Sequence, residues 1–317
     1  MFNMDRSFLE QKAAETGFIR DNLEKIYRLI DILDFINDTP LLSEYLALKG
    51  GTAINLTIFD LPRLSIDIDL DFCKDCNKEE MMETRERISS VLQRYMNASG
   101  YTQNLQKDRS VHSLDSRVFY YQSAGGNRDN IKIEINYSMR CHILPIRRYT
   151  GTIKAIDSDL DIYTLDPIEL FGSKIKALLE RTAARDLYDI HNMIRDHIIN
   201  EDEMNMLRKC VLFYCTVGST GMLSKRLSLN EIHNLSYHKI RQTLIPVLRK
   251  REKIDLDQIK SKVSSFLETL LVFTPDEEEY MNEFLLGNYH PELLFDDEEV
   301  LSRIRNHPMA IWKTRNH

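Results

Sequence analysis

The sequence predicts an α+β (mixed α/β) protein in two parts, a sheet-bearing N-terminal domain over residues 1–165 and a helical C-terminal domain over residues 166–317. Three observations predict it. Apolar and polar residues alternate at a period of two in Leu64–Asp71 and again in Ile131–Asn136, as strands with one buried face require. Apolar residues recur at helical spacing in residues 6–36, after Asn77, and almost throughout the chain beyond Asp166. A glycine pair, Gly50–Gly51, stands where the apolar run Leu46–Leu48 gives way to a helical pattern, so a strand opens into a helix there.

Composition narrows the class. Apolar content of 43% and charged content of 29% are those of an ordinary globular chain, and 317 residues suffice for one large or two modest domains. A net charge of −7 argues against a protein that coats nucleic acid, while leaving room for a local basic patch. The N-terminus carries Asp5 and Glu10 and lacks the apolar stretch of a secretory signal. No apolar run approaches the roughly 18–20 residues of a membrane span, so a cytoplasmic protein with no membrane partner is expected. Five cysteines are too few for a disulfide scaffold in a chain of this length. Cys73 and Cys76 form one C-x-x-C with no second pair at zinc spacing, and His112, His142 and His191 stand in no metal-binding array, so all are read as structural.

In chain order, residues 6–36 read as a helical lead-in interrupted at Pro40, before the strand Leu46–Leu48. Asn77 followed by Glu80 is a helix start, continued by Met81–Met96 and ended at Ser99–Gly100. Val111–Gln122 and Asn130–Ser138 read as strands of a hairpin across a Gly-rich turn, with shorter strands around Ile153 and Ile162. Asp166-Pro167-Ile168-Glu169 opens a helix with a cap, a first-position proline and an acid at the third position. Further helices are expected over Met204–Cys215, Leu235–Leu248, Leu256–Phe273 and Pro275–Leu286, broken at Val217–Gly218–Ser219 and Pro275.

The chemistry concentrates in Leu46–Phe72. Period two gathers Asp67, Asp69 and Asp71 on one strand face. Close carboxylates repel unless a cation holds them, and all-oxygen ligands suit a hard ion such as Mg²⁺ when a substrate phosphate completes its shell. Gly50, Gly51 and Thr52 offer backbone N–H groups to a phosphate. A D-x-D alone also describes a solvated strand face, and Gly-Gly-Thr lacks the spacing of a P-loop. The order and proximity of the two is what points to a nucleotide site.

L-K-G-G-T-A at Leu48–Ala53 and R-x-S-x-D-I-D-L at Arg63–Leu70 resemble the AbiEii-type nucleotidyltransferase toxins. These MenT-like proteins are a branch of the polymerase-β-like nucleotidyltransferase superfamily found in toxin–antitoxin and phage-defence loci. A second stretch carries the same resemblance: Lys174, Lys176–Ala177–Leu178, Arg181, Arg185–Asp186 and Asp189 match K-x-x-A-L-x-x-R followed by R-D-L-x-D-[IL]. The family has one lysine at the first place, and here Lys174 and Lys176 both offer themselves. If the helix is continuous, Lys174, Arg181 and Arg185 share one sector of it, which also describes a salt-bridged surface.

The resemblance implies a polymerase-β-like core with a mixed sheet, NTP as substrate, and Asp67 and Asp69 as ligands of Mg²⁺ or Mn²⁺. It implies Glu134 as the third acid, beside Lys132 on its strand face. It implies that Gly50, Gly51 and Thr52, with Lys174 or Lys176, Arg181, Arg185 and Asp186, bind the nucleotide. Lys174 would neutralise triphosphate charge, Asp186 would fix an arginine or the helix junction, and Asp189 would act with the nucleotide or its cation. It further implies transfer to an RNA such as tRNA and a cognate antitoxin protein. The residues alone leave other readings open: transfer to a small-molecule or protein hydroxyl, a metal-dependent nuclease, or a non-catalytic nucleotide-binding module. For an RNA acceptor, the basic run Arg249–Lys250–Arg251–Lys253 and the tail with Arg303, Arg305, Lys313 and Arg315 are the expected phosphate contacts.

Overall fold

The computed structural model describes residues 4–218 and 229–315. Asp5 caps the first helix by accepting from the Phe8 amide, and Gly17, at φ 79°, ends it in the left-handed conformation. The lead-in is therefore two helices, α1 (Arg6–Thr16) and α2 (Arg20–Asp38), rather than one stretch. α2 buries Leu23, Ile26, Leu29, Ile30, Leu33 and Ile36 along one side, which is the helical period seen in the sequence. Pro40 opens α3 (Pro40–Tyr45), and the chain passes directly into β1 (Leu46–Leu48), whose three residues are all buried.

The Gly-Gly-Thr turn forms one helical turn, α4 (Gly50–Ala53), which runs into a π-helical turn over Ile54–Ile58. β2 (Asp67–Phe72) follows, then α5 (Lys78–Ala98), which begins with the expected reciprocal capping of Asn77 and Glu80. The expected strand Leu64–Asp71 is shortened at its start: the Leu64 amide donates to the Val247 carbonyl, and Arg63 and Ser65 are buried. The expected strand Val111–Gln122 is two, β4 (Arg109–Val111) and β5 (Leu114–Gln122), turning at His112–Ser113. β3 (Thr102–Gln103) precedes them, and β6 (Arg128–Asn136), β7 (Arg147–Ile153) and β8 (Ser158–Thr164) complete the sheet.

These strands form one mixed sheet in the order β3-β5-β6-β2-β1-β8-β7, with β4 also paired to β5. β2–β6 and β1–β8 are parallel and the other neighbours antiparallel. Ile131, Ile133 and Ile135 are buried while Lys132, Glu134 and Asn136 are half-buried, the alternation the sequence predicts.

The helical part begins with α6 (Pro167–Arg181), capped by Asp166, which accepts from the Ile168 amide at 2.8 Å. α7 (Ala184–Arg195) and α8 (Met204–Gly218) follow. A Cβ on Gly172 would lie 2.6 Å from that of Cys210, so this glycine sets how closely α6 approaches α8. The expected helix Leu235–Leu248 spans only Tyr237–Thr243, with a 3₁₀ turn at Ile245–Val247 where Pro246 removes an amide donor. Later helices cover Leu256–Leu270, Pro275–Leu285, Glu298–Ile304 and Pro308–Arg315.

Two compact units result. Met1–Arg140, Ile146–Leu165 and Val247–Arg251 make the first; Cys141–Pro145, Asp166–Pro246 and Glu252–His317 make the second. In the second, fully buried Glu169 accepts from the Ile143 and Leu144 amides and the Tyr214 hydroxyl, with His142 Nδ1 at 3.2 Å. Burial alone would raise its pKa, but these partners outweigh it and hold it below the ordinary range. None of the five cysteines is in a disulfide, and among the described residues no helix is long and apolar enough to cross a membrane.

Candidate active site

Two groups of the expected site residues lie one in each unit. In the first, the three pieces of the Leu48–Leu70 motif interlock. The Lys49 amide donates to the Asp69 carbonyl at 2.9 Å, extending the β1–β2 ladder by one residue to the edge of the turn. Gly50 then takes φ 69°, and a Cβ there would come within 2.7 Å of Asp69 Oδ2. A Cβ on Gly51 would lie 2.6 Å from the Arg63 guanidinium and 3.0 Å from Ser65 Oγ. Thr52 Oγ1 bonds to both Ser65 Oγ and the Asp67 carbonyl. Each glycine thus makes room for one motif residue, and Thr52 ties the turn to the start of β2. That is the physical reason for the spacing of Gly-Gly-Thr, Arg-x-Ser and Asp-x-Asp.

Along β2, Ile68 and Leu70 are fully buried and Asp67 and Asp69 are half-buried. Asp71 departs from the expected carboxylate face. It is 2% exposed, and its Oδ1 lies 2.5 Å from Lys49 Nζ, so it serves as a buried counter-ion. The Lys49–Asp71 pair was not singled out from sequence; its only signal was the lysine preceding the glycines in the family motif.

The parallel register of β2 and β6 sets Asp69 opposite Glu134 and Asp67 opposite Lys132. Parallel neighbours lie about 4.8 Å apart, and register partners project from the same sheet face. Glu134 is therefore carried to the edge of the Asp67–Asp69 pair, where its Oε2 lies 2.7 Å from Lys132 Nζ. Among the described residues no three His, Cys, Asp or Glu side chains form a group able to hold a metal by themselves. Two half-buried carboxylates on one strand nonetheless fit a Mg²⁺-type ion that takes its other oxygens from water and substrate phosphate. The Gly50 backbone packed against Asp69 leaves space beside that carboxylate which any side chain would fill.

In the second unit the Lys-x-x-Ala-Leu-x-x-Arg helix is not continuous with the Arg-Asp helix. α6 ends at Arg181, Thr182 turns left-handed at φ 47°, and α7 starts at Ala184. The stripe expected for Lys174, Arg181 and Arg185 is broken by this turn. Arg185 instead donates to the Thr243 carbonyl at 2.8 Å. Lys176 pairs with Glu180 one turn along α6, at 2.5 Å. Lys174, whose side chain is 7% exposed, stands 3.0 Å from Asp186 Oδ1 and 3.2 Å from Asp189 Oδ2.

Arg181 closes the cluster with Nε 2.8 Å and Nη2 3.1 Å from the two oxygens of Asp186. Burial alone would raise the Asp186 pKa, but Lys174 and Arg181 outweigh it and hold the carboxylate below its ordinary value. Asp186 thus clamps the end of α6 to the first turn of α7, the junction role expected of it. The cluster's two cations and two anions balance, which is how four charged groups can sit together out of water.

Comparison with known proteins follows this geometry. A model of the family "Nucleotidyl transferase AbiEii toxin, Type IV TA system" matches residues 32–285, a span holding every site residue described above. The fold is similar to that of MenT4, a nucleotidyltransferase toxin from Mycobacterium tuberculosis H37Rv. The TM-score is 0.61 at 16% identity, covering 94% of this chain and 98% of that one. A search of curated protein sequences finds no match. With the family's motifs interlocked in one unit and clustered in the other, the chain belongs to the AbiEii family of nucleotidyltransferase toxins of type IV toxin–antitoxin systems.

Proposed function

We propose that this nucleotidyltransferase uses Mg²⁺, with Mn²⁺ as a substitute, to transfer the nucleoside monophosphate of an NTP to a hydroxyl of an RNA such as tRNA. The observation that carries the reading is the placement of Gly50 against Asp69, with Glu134 opposite in register. Asp67 and Asp69 would hold the cation, which when bound supplies charge neutralisation at the triphosphate. The Gly50–Gly51–Thr52 turn receives phosphate oxygens on its backbone. Glu134 takes the proton from the attacking hydroxyl, with Lys132 holding its carboxylate in place. The acceptor oxygen forms a bond to the α-phosphorus, the bond from that phosphorus to the bridging oxygen breaks, and pyrophosphate leaves with the electron pair.

Lys174 is the phosphate-facing cation of the second motif, Asp189 and Asp186 fix its ammonium group, and Arg181 is held by Asp186. Lys176, paired with Glu180, is the lesser candidate for the phosphate lysine. Positioning and charge neutralisation supply most of the rate. The family places a cognate antitoxin protein beside the enzyme. The test is to supply each α-labelled NTP in turn with Mg²⁺ and total tRNA, and to follow label and pyrophosphate together. Label on RNA with equimolar pyrophosphate supports the reading. Label on protein alone, or monophosphate released to water, overturns it.

A further inference from the structure

The cations first expected to meet RNA are occupied within the fold. Arg249 donates to the Thr16 and Leu61 carbonyls and packs over Phe18. Arg303 donates to the Ile143 carbonyl, Arg305 pairs with Glu298, and Lys313 donates to the carbonyls at the end of α8. Another part of the first unit has the matching chemistry.

Register pairs run in a straight row across four strands: Asp69 faces Glu134, Glu134 faces Ser116, and Ser116 faces Arg109. At about 4.8 Å per strand, Arg109 lies about 14 Å from Asp69 along this row. The next row sets Asp67, Lys132 and Val118 side by side, and beyond it Asn130 faces Tyr120. All share the catalytic face, because register partners project to the same side.

The period-two pattern also sorts charge between the faces. The acids Asp115 and Asp129 project to the opposite face, where Arg85 and Lys25 neutralise them at 2.6 and 2.8 Å. Arg109, Arg128 and Lys132 project to the catalytic face, and Arg109 and Arg128 are exposed. Among the described residues no carboxylate pairs with either arginine. The Arg128 guanidinium carbon stands 4.0 Å from the Tyr120 ring centre, with Lys107 Nζ at 5.6 Å. A planar cation layered on an aromatic ring, flanked by further cations, suits stacked bases and phosphates of a single strand.

Resting on the RNA-acceptor reading above, we propose that this face, from Lys132 through Tyr120 and Arg128 to Arg109, is the track on which a single-stranded segment of the acceptor RNA lies. Tyr120 and Arg128 stack a base, while Arg109 and Lys132 meet phosphates. The strand is thereby led along the sheet toward Glu134 and the Asp67–Asp69 pair.

The test uses the full chain and a fluorescent single-stranded oligoribonucleotide, read by anisotropy over a salt series. The Arg109→Glu/Arg128→Glu variant is expected to bind the probe more than about tenfold more weakly, with a log–log salt slope lower by about 1.4, two phosphate contacts at about 0.7 each. Tyr120→Ala is expected to lose at least about fivefold through stacking. Binding of NTP with Mg²⁺ and the thermal midpoint, measured alongside, separate a lost track from a lost fold. Unchanged probe affinity and slope in the double variant overturn the track, as does a wild-type protein that does not bind the probe. A wild-type protein that labels protein but no RNA defeats the acceptor reading instead, and that result needs no variant.

Discussion

Asp69 and Glu134 stand opposite each other on adjacent parallel strands, β2 and β6. Their placement depends on hydrophobic registration. Ile68 and Leu70 on β2, and Ile133 and Ile135 on β6, bury the other face, and a slip of one residue would turn Glu134 inward. The carboxylates are positioned by the core beneath them.

Substitution of Asp69 by asparagine is expected to lower transfer by at least about 10²–10³-fold. The thermal midpoint should stay constant or rise, because a repelling charge is removed in the metal-free protein. Glu134→Gln should cost about 10²-fold or more if the carboxylate takes a proton, and should remove the acidic limb of the pH–rate profile. Rate profiles of the two variants against pH check both.

Gly50→Ala should separate backbone strain from active-site geometry. The left-handed φ costs a residue with a side chain about 1–2 kcal/mol, and the added methyl would also press on the Asp69 carboxylate. Gly100 has a similar φ of 79° with nothing near its missing Cβ. Gly100→Ala should therefore lose comparable stability and keep its activity, whereas Gly50→Ala should lose both. Denaturant melts paired with transfer rates make the comparison.

Lys174 and Lys176 are distinguished by their partners. Lys174→Met leaves Asp189 buried without its cation, and removing one partner from such a cluster costs about 3–5 kcal/mol. Adding Asp189→Asn should restore much of that stability without restoring transfer. Lys176→Met loses only a pair one helical turn apart and should cost less than about 0.5 kcal/mol. Equal losses in the two single variants would contradict the assignment.

Much of this was legible in the sequence because the catalytic strand, its neighbour and the opening of α6 obey simple local rules. Period-two burial fixed the faces of β2 and β6, and Asp166-Pro167 announced the helix. What the sequence did not reveal depends on tertiary partners. Asp71 has the same local pattern as Asp67 and Asp69, and only Lys49 across the β1–β2 ladder makes it a buried counter-ion. The helix break at Thr182 has no glycine or proline to signal it; it is fixed by Asp186 reaching back to Arg181 and Lys174. Arg249 looks like part of a basic run, yet its donors are spent on backbone carbonyls.

Acid should weaken the second unit through Glu169 and Asp186. Both have folded pKa values depressed below their ordinary values of 4.5 and 3.8. Their contribution is therefore full above those ordinary values and is lost as pH falls through the lower folded values. Glu169→Gln keeps one acceptor but leaves a buried donor unmatched, costing about 1–3 kcal/mol at neutral pH. It should also flatten the decline in stability below about pH 4.5. Urea unfolding followed from pH 6 to pH 3 tests the sign and the window.

The most direct measurement compares wild type with Asp69→Asn in transfer of α-labelled NTP to total tRNA over a Mg²⁺ titration, with folding checked by circular dichroism. The account predicts Mg²⁺-dependent label on RNA from the wild type and almost none from an equally folded variant. Near-wild-type labelling by Asp69→Asn, or wild-type labelling that ignores added Mg²⁺ and persists in chelator, would contradict it.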